Sequence, residues 1–439
     1  MFKTLKNAFA IPELRRKMLY TLFIILLYRI GAAIHVPYTD YEAMQAAFNY
    51  ADGNLFAYLN ILSGDAFSKA TLFALSISPY ITSSIVIQLL TIAIPALERK
   101  SKQGEEGQKF LTQLTRIVTV VLAFLTAFGY YMYMESAGFI SAVDFGFGDI
   151  GNKVFRGFVI VFCYAAGASL IMWLAEKINE KGIGNGISMI LFANIIASTA
   201  GGVSSLIQYA ISGAWRLVLV EVLVFLALVI VAFVVFITNS ERRLPVQYAK
   251  KQVGRKMYGG QSTTLPIKLN MSGVMPIIFA SSIVSIPSTI EMIIASKIKE
   301  GGFWDKFFHV LSYNSPLYAI LFFILIIAFS YFYILISFNP IEVANNLKKN
   351  GGFIPGYRPG KPTSDYITKV LNRITLIGAL FLGIIAVAPL IVNMATGSQY
   401  GSIAFGGSSL LILVGVILET ARELEAQMSM RHYKGFLDK

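Results

Sequence analysis

The sequence predicts an all-α, polytopic membrane protein, and three observations carry that reading. Hydrophobic residues make up 56% of the 439 and charged residues only 14%, with a mean hydropathy of +0.65, whereas about a quarter of a soluble domain is charged. Apolar runs recur at close to the roughly 20 helical residues that cross a hydrocarbon core. Lysine and arginine gather on alternate connections between those runs, the bias that orients helical membrane proteins.

The N-terminus is basic (Lys3, Lys6, Arg15, Arg16, Lys17), and Met18–Ile34 is apolar. No small-residue cleavage site follows, so this reads as an uncleaved first span. Ten spans are expected at about 18–36, 72–94, 110–134, 154–175, 183–205, 214–238, 270–295, 316–338, 371–393 and 404–424. The connections after spans two, six and eight are rich in Lys and Arg, whereas 37–53, 206–213 and 394–403 hold none. The connection 296–315, with Lys297, Lys299 and Lys306, dilutes the pattern. Both termini are therefore expected in the cytoplasm.

Residues 54–70, NLFAYLNILSGDAFSKA, are too short and too polar at their end for a span. A full crossing there would move the basic 99–109 connection outside, so the sequence favours a half-length segment that enters and leaves on one face. An amphipathic surface helix is the other reading. Ten spans divide into two sets of five, 1–205 and 206–439. An odd number per half makes the halves, if related, inverted about an axis in the membrane plane.

Chemistry is sparse. One cysteine, Cys163, and three scattered histidines (His35, His309, His432) offer neither a disulfide nor a metal cluster. The closest approach to a phosphate-binding loop, Pro355–Pro362, has proline at the first glycine and at the Ser/Thr position. GIGNG at 182–186 lacks a preceding strand and reads as the flexible entry to span five. No cofactor is called for. Glu135, Glu221, Glu291 and Glu419 fall near span ends or in the last, polar stretch of span ten, and Arg29 lies where it can snorkel outward. Ion coupling usually leaves carboxylates at mid-membrane, which counts against a secondary transporter of a small solute. No nucleophile–base constellation for an intramembrane hydrolase can be assembled either.

Hydroxyls and prolines cluster on two spans: Ser76, Ser78, Pro79, Thr82, Ser83, Ser84 and Gln88 on span two, and Ser272, Pro276, Ser281, Ser282, Ser285, Pro287 and Thr289 on span seven. Such helices bend and separate readily, although ordinary packing explains hydroxyls equally well. The stretch 345–363, NNLKKNGGFIPGYRPGKPT, is a basic loop whose glycines and prolines are expected to hold a shape without a helix.

Several long motifs closely resemble the SecY family, the central channel subunit of the bacterial Sec translocase. They are 64–90, 180–193, 241–283, 339–363 and EAQMSMRHYKGF at 425–436, and the resemblance runs from the first span to the tail. It implies a protein-conducting channel, not an enzyme, with an hourglass pore between two inverted five-helix halves. By the resemblance, a pore ring falls on Ile77, Ile81, Ile187, Leu191, Ile278 and Ile412, with leucine at 191 a mild departure. The stretch 54–70 becomes a re-entrant plug, carried by Leu55, Phe56, Leu59, Ile61, Leu62, Ser63 and Gly64. Spans two and seven become a lateral gate at Ser78, Thr82, Ile85, Gln88, Pro276, Ser281 and Ser282. The basic connections, about 239–269 and 339–370, become docking loops for the motor ATPase SecA or a ribosome, through Arg243, Arg255, Lys256, Lys348, Lys349 and Arg358. SecE and SecG are the implied companion subunits, unfolded signal-bearing polypeptides the implied cargo, and a bacterial cytoplasmic membrane the implied location. The net charge of +13 also suits anionic lipid.

Overall fold

Long apolar stretches become helices because, in hydrocarbon, each backbone N–H and C=O must find its partner within the segment. The structure, a computed structural model, describes residues 2–50, 60, 63–141, 143, 146, 148–211, 214–248, 251–253, 256–258, 262–294, 302–312, 315–396 and 407–434. The first half contributes α1 (Phe2–Ala10), α2 (Pro12–Gly31), α3 (Tyr41–Tyr50), α4 (Ser78–Ala93), α5 (Pro95–Ser101), α6 (Glu105–Ser136), α7 (Gly148–Lys181) and α8 (Gly186–Ile211). The second contributes α9 (Ala214–Asn239), α10 (Met275–Val284), α11 (Ile286–Ile294), α12 (Phe303–Val310), α13 (Pro316–Ser337), α14 (Pro340–Lys349), α15 (Lys361–Thr396) and α16 (Gly407–Lys434).

Helix occupies each expected span, but not every span is one straight rod. Among the described residues five helices are individually long and apolar enough to cross a membrane, or six if α4 and α5, bent by 105°, count as one. Span two starts as a helix only at Ser78, not at 72, because Thr71–Ile77 is a chain of turns with Ser76 at φ 54°. Span seven is divided at Ser285 into α10 and α11. Pro287 lacks an N–H and its ring crowds the carbonyl of Ile283, so the helix is interrupted there.

The fold is not purely helical. A three-stranded antiparallel sheet in the order β4-β1-β5 forms from β1 (Glu241–Tyr248), β4 (Ser262–Lys268) and β5 (Gly352–Phe353). A separate pair joins β2 (Lys251–Val253) to β3 (Lys256–Tyr258). In β1 Leu244 and Val246 are buried between exposed neighbours, the period-two pattern of a strand covered on one side. With Ile267, Ile354, Ile367, Leu371 and Ile374 they form a small apolar core of their own.

The main core draws on both halves. It runs through α2, α4, α7 and α8 on one side and α10, α13, α15 and α16 on the other. Across the division α4 packs on α10, α6 on α11 and α8 on α16. Close approach is set by small residues: a Cβ on Gly415 would overlap the Val274 side chain, so α16 can lie against the start of α10 only with glycine there.

Candidate functional site

The six aliphatic residues expected to form a ring come from four separate segments, and all six are at most 8% exposed within the same apolar cluster. Ile77 stands at the N-cap of α4 and Ile81 one turn inside it, with the Ile81 amide donating to the Ile77 carbonyl at 3.1 Å. Ile187 and Leu191 repeat that spacing at the start of α8, while Ile278 lies in α10 and Ile412 in α16. Branched side chains on i,i+4 positions share one helix face, so each pair presents a continuous apolar edge. The cluster that the six share takes no polar group from any of them.

Among the described residues no hydrogen bond joins the expected gate hydroxyls of α4 to those of α10. Thr82 Oγ1 donates to the Ser78 carbonyl at 3.0 Å, and Ser281 and Ser282 both donate to the Ile278 carbonyl at 2.9 Å. Gln88 donates to Ser84 in its own helix at 3.1 Å. Ile85 and Pro276 are buried. The hydroxyls are thus satisfied within their helices, and parting α4 from α10 breaks none of these bonds. Near the α11 end of the seam a cavity of about 60 Å³ is lined by Leu75, Ser78, Pro79, Thr126, Tyr130 and Thr289, among others.

Of the expected plug, Leu55, Phe56, Leu59, Ile61 and Leu62 lie outside the described residues, whereas Ser63 and Gly64 lie within them. Ser63 is 1% exposed, and its Oγ accepts from the Phe67 amide at 3.0 Å. The turns that follow are tied down from outside, because Tyr130 Oη donates to the Phe67 carbonyl at 2.6 Å and Tyr164 Oη to that of Ala70 at 3.3 Å. Gly64 has φ +67°, and a Cβ there would lie 3.0 Å from both Arg29 Nη atoms and from Asn194 Oδ1. Arg29 therefore corrects the sequence reading. It does not snorkel outward but turns inward and donates to the Ala193 carbonyl of α8. That carbonyl, beside the Gly64 turn, takes one of the guanidinium's N–H groups.

The two basic connections are one construction. Gln247 and Tyr248 of β1 pair with Phe353 and Gly352 of β5, so the sheet joins them. The second connection also departs from expectation, since Lys348 and Lys349 sit in the last turn of α14 and not in an irregular loop. Asn339 caps that helix, its Oδ1 accepting from Ile341 and Glu342 amides at 3.2 and 3.3 Å. Cations in the final turn favour the carbonyl end of the dipole. Glycines with open surroundings, Gly351 (φ +70°), Gly356 (φ +88°) and Gly360 (φ +105°), then shape the tip that carries exposed Arg358. Its carbonyl accepts from Thr363 Oγ1 at 2.8 Å, leaving the guanidinium outward. Arg243 is exposed on β1 and pairs with Glu241 at 2.7 Å. Lys256 opens β3, and Arg255 lies outside the described residues.

Sequence reasoning missed Arg242, which shares the β1 face of Leu244 and Val246 and so points with them toward α15. There it lines a cavity of about 340 Å³ with Tyr357, Tyr366, Lys369, Arg373 and Ile377. The alternation of β1 was the signal that could have found it.

The family model described as SecY matches residues 71–421. A curated protein of Streptomyces galbus, the protein translocase subunit SecY, is 42% identical over 442 residues, covering all of both chains. Its namesake in Mycobacterium tuberculosis is 42% identical over 436 residues, 97% of each chain. Among solved structures, a protein-conducting channel superimposes with a TM-score of 0.66 at 17% identity, covering 94% of this chain and 92% of the other. Sec61 in a canine ribosome–channel complex from the endoplasmic reticulum gives 0.62 at 16% identity, covering 94% and 92%. The structures carry the fold and the curated relatives carry the family: this chain belongs to the SecY family.

Proposed function

We propose that this chain is the channel subunit of a protein translocase in a bacterial cytoplasmic membrane, with both termini in the cytoplasm. It passes unfolded, signal-bearing polypeptides through the ring and releases apolar segments sideways between α4 and the α10–α11 pair. The observation that carries this reading is the convergence of six branched side chains from both halves into one buried apolar cluster. A seal made of such side chains spreads around a polypeptide and closes behind it without specific recognition of its sequence.

The segment around Ser63 and Gly64 serves as the plug over the ring. The halves, 1–205 and 206–439, move relative to one another as the seam between α4 and α10 opens. The chain supplies passage and no chemistry, so force comes from partners. Arg243, Arg255, Lys256, Lys348, Lys349 and Arg358 form the docking face for a motor ATPase of the SecA type or for a ribosome. The ribosome-bound channels among the structural neighbours favour the latter kind of partner. SecE and SecG are the expected companions, and anionic lipid faces the basic cytoplasmic side. Small-solute transport finds no support among the relatives.

The test is reconstitution of the chain with its companion subunits in vesicles, with motor ATPase and ATP added to a signal-bearing precursor. Protection of the precursor from external protease is the expected result. Solute uptake without precursor protection would overturn the reading.

A further inference from the structure

The 340 Å³ cavity between β1, the loop tip and α15 is lined by residues outside the proposed docking set. Three cations, Arg242, Lys369 and Arg373, line it, and no carboxylate does. Among the described residues none of the three forms an ion pair. The carboxylate nearest Arg242 in sequence, Glu241, is held by Arg243, and Asp365, one turn before Lys369, is not part of the lining. Three like charges around one cavity repel until an anion enters. Tyr357 and Tyr366, stacked with ring centroids 4.1 Å apart, form one wall.

The remaining wall points to the source of that anion. Ile377 lines the cavity one helical turn beyond Arg373. Continuing along α15, Ile377, Leu380 and Ile384 are 56%, 37% and 61% exposed. The spacing of 373, 377, 380 and 384 keeps them on one helix face. A cationic cup at the inner end of a span therefore runs directly into an outward apolar stripe along that span. A soluble anion would use the cup alone, whereas an anionic phospholipid would use both. Basic pockets on the cytoplasmic side of membrane helices commonly hold such headgroups.

We propose that this cavity is a binding site for the headgroup of an anionic phospholipid, its phosphate held by Arg242, Lys369 and Arg373 and its acyl chains lying along Ile377, Leu380 and Ile384. The proposal rests on the reading that the basic cytoplasmic side meets anionic lipid, and gives that contact a place.

The test is native mass spectrometry of the full chain, purified with its companion subunits and exposed to phosphatidylglycerol or phosphatidylcholine. Phosphatidylglycerol should be retained in preference. Each of Arg242→Gln, Lys369→Gln and Arg373→Gln should weaken retention roughly fivefold, the effect of one cation near an anionic surface, and the triple variant carrying all three should weaken it further. A control of equal charge loss at exposed sites, Arg15→Gln with Arg16→Gln and Lys100→Gln, should leave it intact. Ile377→Glu keeps all three cations and should still reduce retention by blocking the acyl path. Equal retention of both lipids would overturn the underlying lipid reading itself. Equal loss in the cavity triple and the control triple would leave that reading standing but overturn the site. Displacement by inorganic phosphate, with Ile377→Glu silent, would reassign the cup to a soluble anion. Retention by the isolated chain but not by the complex would reassign the cavity to a subunit interface.

Discussion

Replacing Gly64 with alanine should loosen the plug and raise the resting ion leak. Gly64 sits at φ +67°, where an L-residue costs roughly 1–2 kcal/mol. The added Cβ would also meet both Arg29 Nη atoms and Asn194 Oδ1 at 3.0 Å. Neither neighbour withdraws freely, since Arg29 is bonded to the Ala193 carbonyl and Asn194 Nδ2 donates to Ser76 Oγ at 3.2 Å. Asn194 is also fully buried. These costs apply only while the segment is seated, because a displaced segment lets residue 64 relax to an ordinary conformation. The seated-to-displaced ratio should therefore fall roughly 5- to 30-fold. While the displaced fraction is small, current through single channels in planar bilayers should rise by the same factor. Gly138→Ala is the control, since Gly138 has φ +76° with nothing near its Cβ position. It carries the same backbone strain away from the plug and should leave the leak unchanged. An unchanged leak in Gly64→Ala, or an equal rise in both variants, would refute the assignment.

The other expectations concern the ring, the tip and the seam. Ile278→Ser and Ile412→Ser replace side chains that are 1% exposed. Each should make the constriction easier to wet and raise resting conductance, and an unaltered current would remove the ring from the seal. Arg358→Glu changes an exposed side chain whose backbone carbonyl does the structural bonding. Assembly should be normal while motor-driven precursor translocation drops at least about tenfold, a loss of about 1.4 kcal/mol in coupling; full activity would dismiss the docking role. Arg243→Gln should lower by about one the slope of log affinity against log salt for a ribosome, if that cation meets phosphate. Oxidised cysteine pairs placed across α4 and α10 should stop insertion of signal segments, and free insertion despite the crosslink would put the exit elsewhere.

The amino-acid sequence by itself determined the class of molecule and where its apolar helices fall. Composition and run length decide that lipid is the solvent, and backbone hydrogen bonding then leaves helix as the form of each span. The motifs resembling the family supplied all six expected ring positions, and spacing by itself says only that Ile77/Ile81 and Ile187/Leu191 each share a helix face. What sequence periodicity left undecided were features set by contacts between distant segments. The inward turn of Arg29 depends on a carbonyl at Ala193, well over a hundred residues away, that no local pattern reveals. The break at Ser285 was present in the sequence as Pro287, but the packing of α10 on α13 and of α11 on α6 gives its two halves different neighbours. The largest difference lies in the basic connections. Their charge was plain in the sequence, but the pairing of β5 with β1 and the apolar core the two connections share join them and bring Arg242 beside Lys369 and Arg373. Charge is a property of residues and is read one position at a time. A site is a property of distances, and distances between remote residues are fixed by burial of the apolar faces on which those charges ride.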